Sequence, residues 1–160
     1  MNTPEALTAY FEDMIANCAN NPQFEGLSIR SFIEGDSRRL IENSRSELNY
    51  PLFFLEIPAF QLGQNFKADP NGSARFGFAV LENSPVGDYA LQRQIRQRTY
   101  LTGLRVLGQL VKDSKTKGFY LHLDSTLIEP VNSWFVDNDF GYRFEILLSK
   151  IGFVNLNICA

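Results

Sequence analysis

Residues that bind metals or carry redox chemistry are scarce in this chain of 160 amino acids, which contains two cysteines, one histidine, two methionines and one tryptophan. Cys18 and Cys159 lie far apart, and neither belongs to a Cys-x-x-Cys or Cys/His motif. The sequence therefore excludes a disulfide-rich scaffold and predicts no metal site built from histidine and cysteine.

Phosphate-binding loops are also missing. The chain contains neither the G-x-x-x-x-G-K-[ST] pattern nor the G-x-G-x-x-G pattern, whose backbone N–H groups hold nucleotide phosphates. Asp137-Asn138-Asp139 could suggest calcium, but the glycine and glutamate that an EF-hand loop needs at its sixth and twelfth positions are absent. We interpret this triplet as a hairpin turn, and we predict no cofactor.

Long apolar runs and a basic excess are absent as well. No run of 18 apolar residues occurs, and Met1 to Glu5 lacks the basic and apolar regions of a signal peptide. The formal net charge is −3, and the sequence pI is about 5.2. We therefore expect synthesis in a reducing cytoplasm, no membrane partner and no sequence-specific nucleic-acid partner.

Aromatic residues are abundant, with 14 Phe and 6 Tyr, and 44% of the chain is hydrophobic. This composition and length predict one globular domain over residues 1–160, with a short tail at 150–160. Leu7, Phe11 and Cys18 mark the apolar face of a first helix, which begins at Thr3-Pro4 and ends at Asn20-Asn21-Pro22.

Alternating patterns predict strands before and after a second helix. The first group covers 27–33, 50–57 and 75–82, and Leu27, Ile29 and Ile33 mark the inward face of the first strand. Residues 36–48 are compatible with a short helix or a polar strand, and residues 63–73 are rich in turn-forming residues. The second group covers 119–124, 128–136 and 140–148. The resulting order of helix, strands, helix and strands predicts an α+β fold with a mixed or antiparallel sheet.

The second helix is predicted from about residue 88 to about residue 113, with Asp88 as its cap. Its C-terminal half carries a core stripe of Tyr100, Leu104, Leu107, Leu110 and Val111, and Gly103 and Gly108 allow close approach to a sheet. Its N-terminal half has only Leu91 and Ile95 to bury, so we expect it to project from the core or to meet a partner.

The N-terminal half of this helix carries the main basic cluster of the chain, formed by Arg93, Arg96 and Arg98 with Arg105 further along. We predict that Arg93, Arg96 and Arg98 contact another subunit or a partner, with a solvated face as the alternative.

Catalytic groupings are weak in this sequence. His122 lies near Asp124 and Ser125, but the segment lacks the glycines of a nucleophile elbow, so we interpret His122 as a sheet-surface residue. Glu56 and Glu145 could form an acid–base pair, although alternation on a solvated sheet face explains both. We predict no catalytic residue.

The order of elements resembles the tail-terminator (tail-completion) proteins of long-tailed phages and related contractile injection systems. In addition, Ile128-Glu129-Pro130-Val131 and the segment from Phe135 to Arg143 resemble a Pro-(Ile/Val)…Asp-Asn-x-x-Gly-(Trp/Tyr)-Arg stretch found in small prophage proteins of tail-assembly gene clusters. The apolar tail with a late cysteine, Asn157-Ile158-Cys159, is similar to the ends of those proteins.

The resemblance implies a small α+β subunit with two helices on one side of a sheet, which assembles into a homohexameric ring that caps a tail tube. It implies the tail tube protein and head–tail connector components as partners, and the host cytoplasm and then the virion tail or injection particle as locations. It brings no catalytic residues. We expect the subunit contacts at the arginine-rich half of the second helix and at a strand edge that carries Asp137, Asp139, Tyr142 and Arg143.

Two other classes of protein remain open. A monomeric adaptor or immunity-type protein that binds one partner has the same acidic α+β composition. A small enzyme without a recognisable motif would need a concave pocket lined by residues such as His122, Asp124, Glu129 and Tyr142.

Overall fold

Two long antiparallel strands, each flanked by shorter ones, form the centre of the fold. The computed structural model describes residues 3–17, 29–36, 48–62, 71–133 and 138–152. The elements in these residues are α1 (Pro4–Ala16), β1 (Ser31–Gly35), β2 (Leu52–Glu56), β3 (Ala59–Leu62), β4 (Asn71–Asn83), α2 (Tyr89–Lys117), β5 (Tyr120–Leu121), β6 (Leu127–Asn132) and β7 (Asp139–Gly152). Two helices packed on one mixed sheet confirm the predicted α+β class.

The central pair is β4 with β7, which runs from Asn71 opposite Gly152 to Asn83 opposite Asp139. Along the other edge of β4 lie β2 and β3, and β1 pairs with β2 in parallel. Along the other edge of β7 lie β5 and β6, both antiparallel to it. Short strands therefore cover both edges of the central pair.

Both helices begin where the sequence predicts. The Thr3 hydroxyl accepts a hydrogen bond from the Ala6 N–H at 3.1 Å, and the Asp88 carboxylate accepts one from the Leu91 N–H at 3.0 Å. These bonds satisfy N–H groups that have no partner inside the first helical turn. The second helix extends to Lys117, beyond the predicted end at 113, and stops at Gly118, whose φ of 78° is left-handed.

The main core lies on one face of the sheet, the inner face, against which both helices pack. A row of stacked phenylalanine rings crosses four neighbouring strands on this face, with ring centroids 5.0–5.8 Å apart: Phe32, Phe53, Phe78 and Phe144. Phe11 of α1 contacts two members of this row, at 6.0 and 6.1 Å. The buried residues of this core include Phe76, Phe78, Leu107, Phe119, Leu121 and Phe144.

The opposite face, the outer face, carries polar residues over part of its area, as the alternation in the last strand predicts. It also carries a second buried apolar cluster, formed by Leu52, Phe54, Ala79, Leu81 and Val131. Ile33 packs against this cluster, whereas Phe32 and Ile29 pack against the main core. The expectation that Ile29 and Ile33 face the same way is therefore wrong, because the strand starts at Ser31 and Phe32 supplies its inward side chain. Leu27 lies outside the described residues.

The N-terminal half of α2 does not project from the core, so the first of the two predicted alternatives is wrong, and contact with a partner stays a prediction. Gln92, Ile95, Thr99 and Thr102 are buried on the sheet side of this half. The hydroxyls of Thr99 and Thr102 donate to the helix carbonyls of Ile95 and Arg98, each at 2.8 Å. Because their polar atoms are satisfied within the helix, these threonines can pack in the core.

The predicted strand at 119–124 stops at Leu121, and Leu123 is exposed in a 3-10 turn formed by Leu123–Ser125. The reason lies in the short polar side chains that follow. The hydroxyls of Ser125 and Thr126 both donate to the His122 carbonyl, and so does the Ser125 N–H. Local side-chain bonds of this kind compete with strand pairing.

Candidate interaction surface

The three arginines predicted to meet a partner occupy different positions on α2. Arg98 donates from Nε and Nη2 to both carboxylate oxygens of Glu82 in β4, at 3.2 and 2.7 Å, and this bond raises the pKa of the Arg98 guanidinium. Arg96 donates to the Asn132 side chain at 3.0 Å and lies over the Phe140 ring. Arg93 is exposed. Two of the three therefore bind the helix to the sheet of their own subunit.

The segment near residues 137–143 is predicted to lie at a strand edge, but from residue 139 onward it is paired within the sheet. The prediction of an open edge is therefore wrong. Residues 139–143 of β7 pair with β4 on one side, and residues 140–143 pair with β6 on the other. Asp139 is fully buried, and the Tyr142 ring is half-buried against Tyr100 at 5.3 Å. Asp137 lies outside the described residues. The assignment of Asp139, Tyr142 and Arg143 to a partner contact stays a prediction.

Arg143 is the centre of an ion network on the outer face. Its Nε and Nη2 donate to the two oxygens of Glu56 at 2.6 and 2.8 Å, and its Nη1 donates to Glu129 at 3.2 Å and to Glu145 at 3.0 Å. The bond with Glu56 is the main reason that the pKa of Arg143 is raised. Arg75 donates to Glu145 at 3.0 Å, and this bond, followed by that from Arg143, lowers the pKa of Glu145.

Gly77 makes room for this network. A Cβ at position 77 would lie 2.6 Å from Oε2 of Glu56, so the glycine allows the Glu56 carboxylate to lie flat on β4. The two glutamates considered as an acid–base pair are thus both bound to the same guanidinium. Each accepts hydrogen bonds from Arg143 with its carboxylate oxygens.

The surroundings of His122 are built from sheet residues. Its Nε2 lies 2.8 Å from the Ser149 hydroxyl oxygen, and its ring meets Tyr120 edge-on at 4.7 Å. The Ser125 hydroxyl donates to the backbone carbonyl of His122 at 3.1 Å. Asp124 is exposed on the 3-10 turn.

A polar cleft separates the ends of α1 and α2. The Tyr10 hydroxyl donates to Asp113 at 2.8 Å, and Gln109 donates to the same carboxylate at 2.7 Å. Lys117 lies 3.5 Å from Asp113 and 4.5 Å from the centre of the Tyr10 ring. Burial, followed by the bond to Asp113, raises the pKa of the Tyr10 phenol. These bonds join the two helices to each other.

Three large apolar side chains on α2 are exposed, which the sequence pattern does not predict. Tyr100, Leu101 and Leu104, which we call the leucine stripe, are 37%, 46% and 37% exposed. The sequence pattern predicts Tyr100 and Leu104 in the core, but the helix turns Thr99, Thr102 and Val106 toward the sheet instead. Gly108, one turn after Leu104, has open space where a Cβ would lie. The sequence feature that indicates this surface is Leu101, a large apolar residue that does not fit the periodicity of the core positions.

A second exposed apolar group lies across the sheet, at the edge made by β5, the 3-10 turn and β6. It consists of Tyr120, Leu123 and Leu127, which are 53%, 53% and 49% exposed, and we call it the sheet-edge patch. Tyr120 and Leu127 stand opposite Ser149 and Glu145 on the outer face. Asp124 and Glu129 border the patch.

Within the described part of the chain, no cluster of three His, Cys, Asp or Glu side chains could hold a metal ion. The described helices include none that is both long enough and apolar enough to cross a membrane.

Comparison with known proteins provides no relatives: no family model, no curated protein and no solved structure matches this chain.

Proposed function

We propose that the protein is a structural subunit of a phage-like tail, which oligomerises into a ring, caps the end of the tail tube and joins it to the next component. The observation that carries this proposal is the arrangement of the helices. An N-terminal and a central helix lie side by side on one face of the sheet, the layout that the resemblance to tail-terminator proteins implies.

The distribution of exposed apolar residues supports an assembling subunit. The leucine stripe and the sheet-edge patch each place three large apolar side chains in solvent. Apolar groups that are contiguous on a surface mark sites of interaction with other macromolecules. The proposed partners are copies of this chain, the tail tube protein and head–tail connector components, in the host cytoplasm during assembly and then in the particle.

The test is the solution mass of the purified protein by light scattering, together with negative-stain images. A mass near six times the 18.2 kDa of one chain, with ring-shaped particles, is the expected result. Tail tubes are then added, and we expect the protein to bind at one end of each tube. A monomer that binds no tube end would overturn the proposal and would favour the adaptor alternative.

A further inference from the structure

Charge is strongly segregated between α2 and the rest of the subunit. The helix Tyr89–Lys117 contains seven Lys and Arg residues and one Asp, which gives it a net charge of +6. The whole chain has a net charge of −3, so the residues outside α2 carry −9. A subunit of this kind has a basic surface and acidic surfaces that can attract each other between copies.

Leu101 and Leu104 of the leucine stripe lie on the solvent side of the basic helix, whereas Tyr100 lies at its flank and contacts Tyr142 and Phe144 of the sheet. Gln92, Ile95, Thr99, Thr102, Val106 and Leu110 define the sheet side, and Leu101 and Leu104 fall on the opposite side of the helical wheel. Arg105 follows Leu104 directly, Arg93 lies two to three turns before the leucines, and both arginines are exposed. The stripe is therefore apolar at its centre and basic at its margin.

The sheet-edge patch has the complementary character. Tyr120, Leu123 and Leu127 form its apolar part. The acidic residues Asp124 and Glu129 follow Leu123 and Leu127 by one and two positions, and both are exposed. Glu129 is 49% exposed in its side chain and makes one long contact, at 3.2 Å, with Arg143. An apolar centre with a charged rim is the usual anatomy of a protein interface.

These two surfaces point in opposite directions. Leu101 and Leu104 of the stripe face away from the sheet on the inner side, whereas Tyr120 and Leu127 stand on the outer face. A contact between different surfaces on opposite sides of identical subunits is heterologous, and it closes into a ring or continues as a filament.

We infer that the leucine stripe of one subunit docks on the sheet-edge patch of the next copy of this chain, with Arg93 and Arg105 of the stripe facing Asp124 and Glu129 of the neighbour. The inference rests on the proposed function and adds to it the two surfaces that meet. A leucine-centred basic helix favours a protein partner over phosphate groups, whose recognition depends on Lys and Arg without an apolar centre.

Two complementary double variants test this pairing. Leu101→Asp with Leu104→Asp removes the stripe, and Leu123→Arg with Leu127→Arg removes the patch. Each variant alone lacks one half of every contact, so we expect each to be monomeric, with self-association weakened roughly thirtyfold or more. Mixed together, the stripe variant supplies an intact patch and the patch variant an intact stripe. We therefore expect a one-to-one heterodimer near twice 18.2 kDa and nothing larger.

Other outcomes overturn the pairing and separate it from the proposed function. Rings from wild type and from both variants would overturn the pairing and leave the ring proposal standing. A patch variant that still assembles alone, beside a stripe variant that does not, would indicate a symmetric helix–helix contact. Wild type that stays monomeric, with or without tail tubes, would overturn both proposals. Salt-sensitive binding of a DNA duplex that the stripe variant loses, with self-association unchanged, would assign α2 to nucleic acid.

Folding is checked by circular dichroism and urea unfolding of each variant. If either double variant unfolds, Leu101→Ser with Leu104→Ser and Leu123→Ser with Leu127→Ser replace them, because serine adds no charge and these positions are about half exposed. The same heterodimer is expected from the serine pair, and its absence overturns the pairing.

Discussion

The ring of Phe144 occupies the space that a side chain at Gly103 would need. A Cβ built on Gly103 would lie 1.9 Å from Cε2 of Phe144 and 2.1 Å from its Cζ. Phe144 is fully buried and stacks on Phe78 at 5.0 Å, so it has little room to move aside. This contact determines how closely α2 approaches β7.

Gly103→Ala should therefore destabilise the fold despite the higher helix propensity of alanine. Overpacking of a dense core costs about 1–3 kcal/mol, and the short distances here favour the upper end. Urea unfolding measures the change. Gly108→Ala is the matched control in the same helix, because open space surrounds it, and it should stabilise by about 0.5–1 kcal/mol. Equal effects of the two substitutions would contradict the packing described.

Arg143→Gln should destabilise the protein by about 2 kcal/mol, between the values for exposed and buried ion pairs, because three carboxylates would lose their shared cation. The Arg143 side chain is 17% exposed and that of Arg75 is 53% exposed, so Arg75→Gln should cost less than about 1 kcal/mol. Urea unfolding at pH 7 provides the measurement. A loss in Arg143→Gln no larger than that in Arg75→Gln would argue against this mechanism.

The acid limb of the stability curve should depend on Glu145. Its pKa in the folded protein is lowered from the ordinary 4.5, mainly by Arg75 and then by Arg143. A folded-state pKa below the unfolded value gives stability that is present above about pH 4.5 and is lost as the pH falls through the folded pKa. Glu145→Gln should thus destabilise the protein at pH 7 and lose less stability than wild type between pH 7 and pH 3. Glu12→Gln, on the exposed side of α1, serves as the control, and parallel pH curves for Glu145→Gln and wild type would refute the prediction.

Arg93→Glu with Arg96→Glu should weaken assembly without unfolding the subunit. Arg93 is exposed, and Arg96 makes a single hydrogen bond to Asn132 and a cation–π contact with Phe140, so the cost in stability should be about 1 kcal/mol or less. Light scattering reports the mass, and circular dichroism reports the fold. Arg30→Glu with Lys150→Glu makes the same charge change at exposed positions outside α2 and should leave the mass unchanged. Unaltered assembly of the α2 variant would exclude this half of the helix as a contact.

Periodicity in the sequence predicts faces well, because burial repeats every two residues in a strand and every three or four in a helix. The alternating residues Phe76, Phe78 and Val80 share one face of β4, and Leu7 and Phe11 lie on the buried face of α1. Pairing is different, since it depends on residues far apart in the chain. The parallel pairing of β1 with β2, and the short strand Ala59–Leu62 after Pro58, leave no local pattern that identifies their partners.

The ion network at the candidate site also depends on residues that are far apart in the chain, so local sequence patterns do not predict it. Alternation correctly places Glu145 and Arg143 on the outer face, but Glu56 precedes Arg143 by 87 residues. Only the register of β2 on β4 and of β4 on β7 brings their side chains together. The leucine stripe is not predicted for another reason. Thr99 and Thr102, whose hydroxyls are satisfied within the helix, occupy core positions, and Leu104, which the pattern predicts in the core, is exposed.

The long pairing of β4 with β7 also affects how the chain is synthesised. Every residue of β4 pairs with a residue of β7 at least 56 positions downstream, since Asn83 pairs with Asp139 and the other pairs are further apart. On the ribosome, Phe76 and Phe78 emerge well before Phe144 and Ile146. Until β7 follows, the growing chain exposes a strand rich in phenylalanine whose edge toward β7 is still hydrated. Non-local pairing of this kind folds slowly and leaves strand edges open to aggregation. Production of this protein should thus be most sensitive to chaperone supply and temperature in the interval between the emergence of β4 and that of β7 from the ribosome.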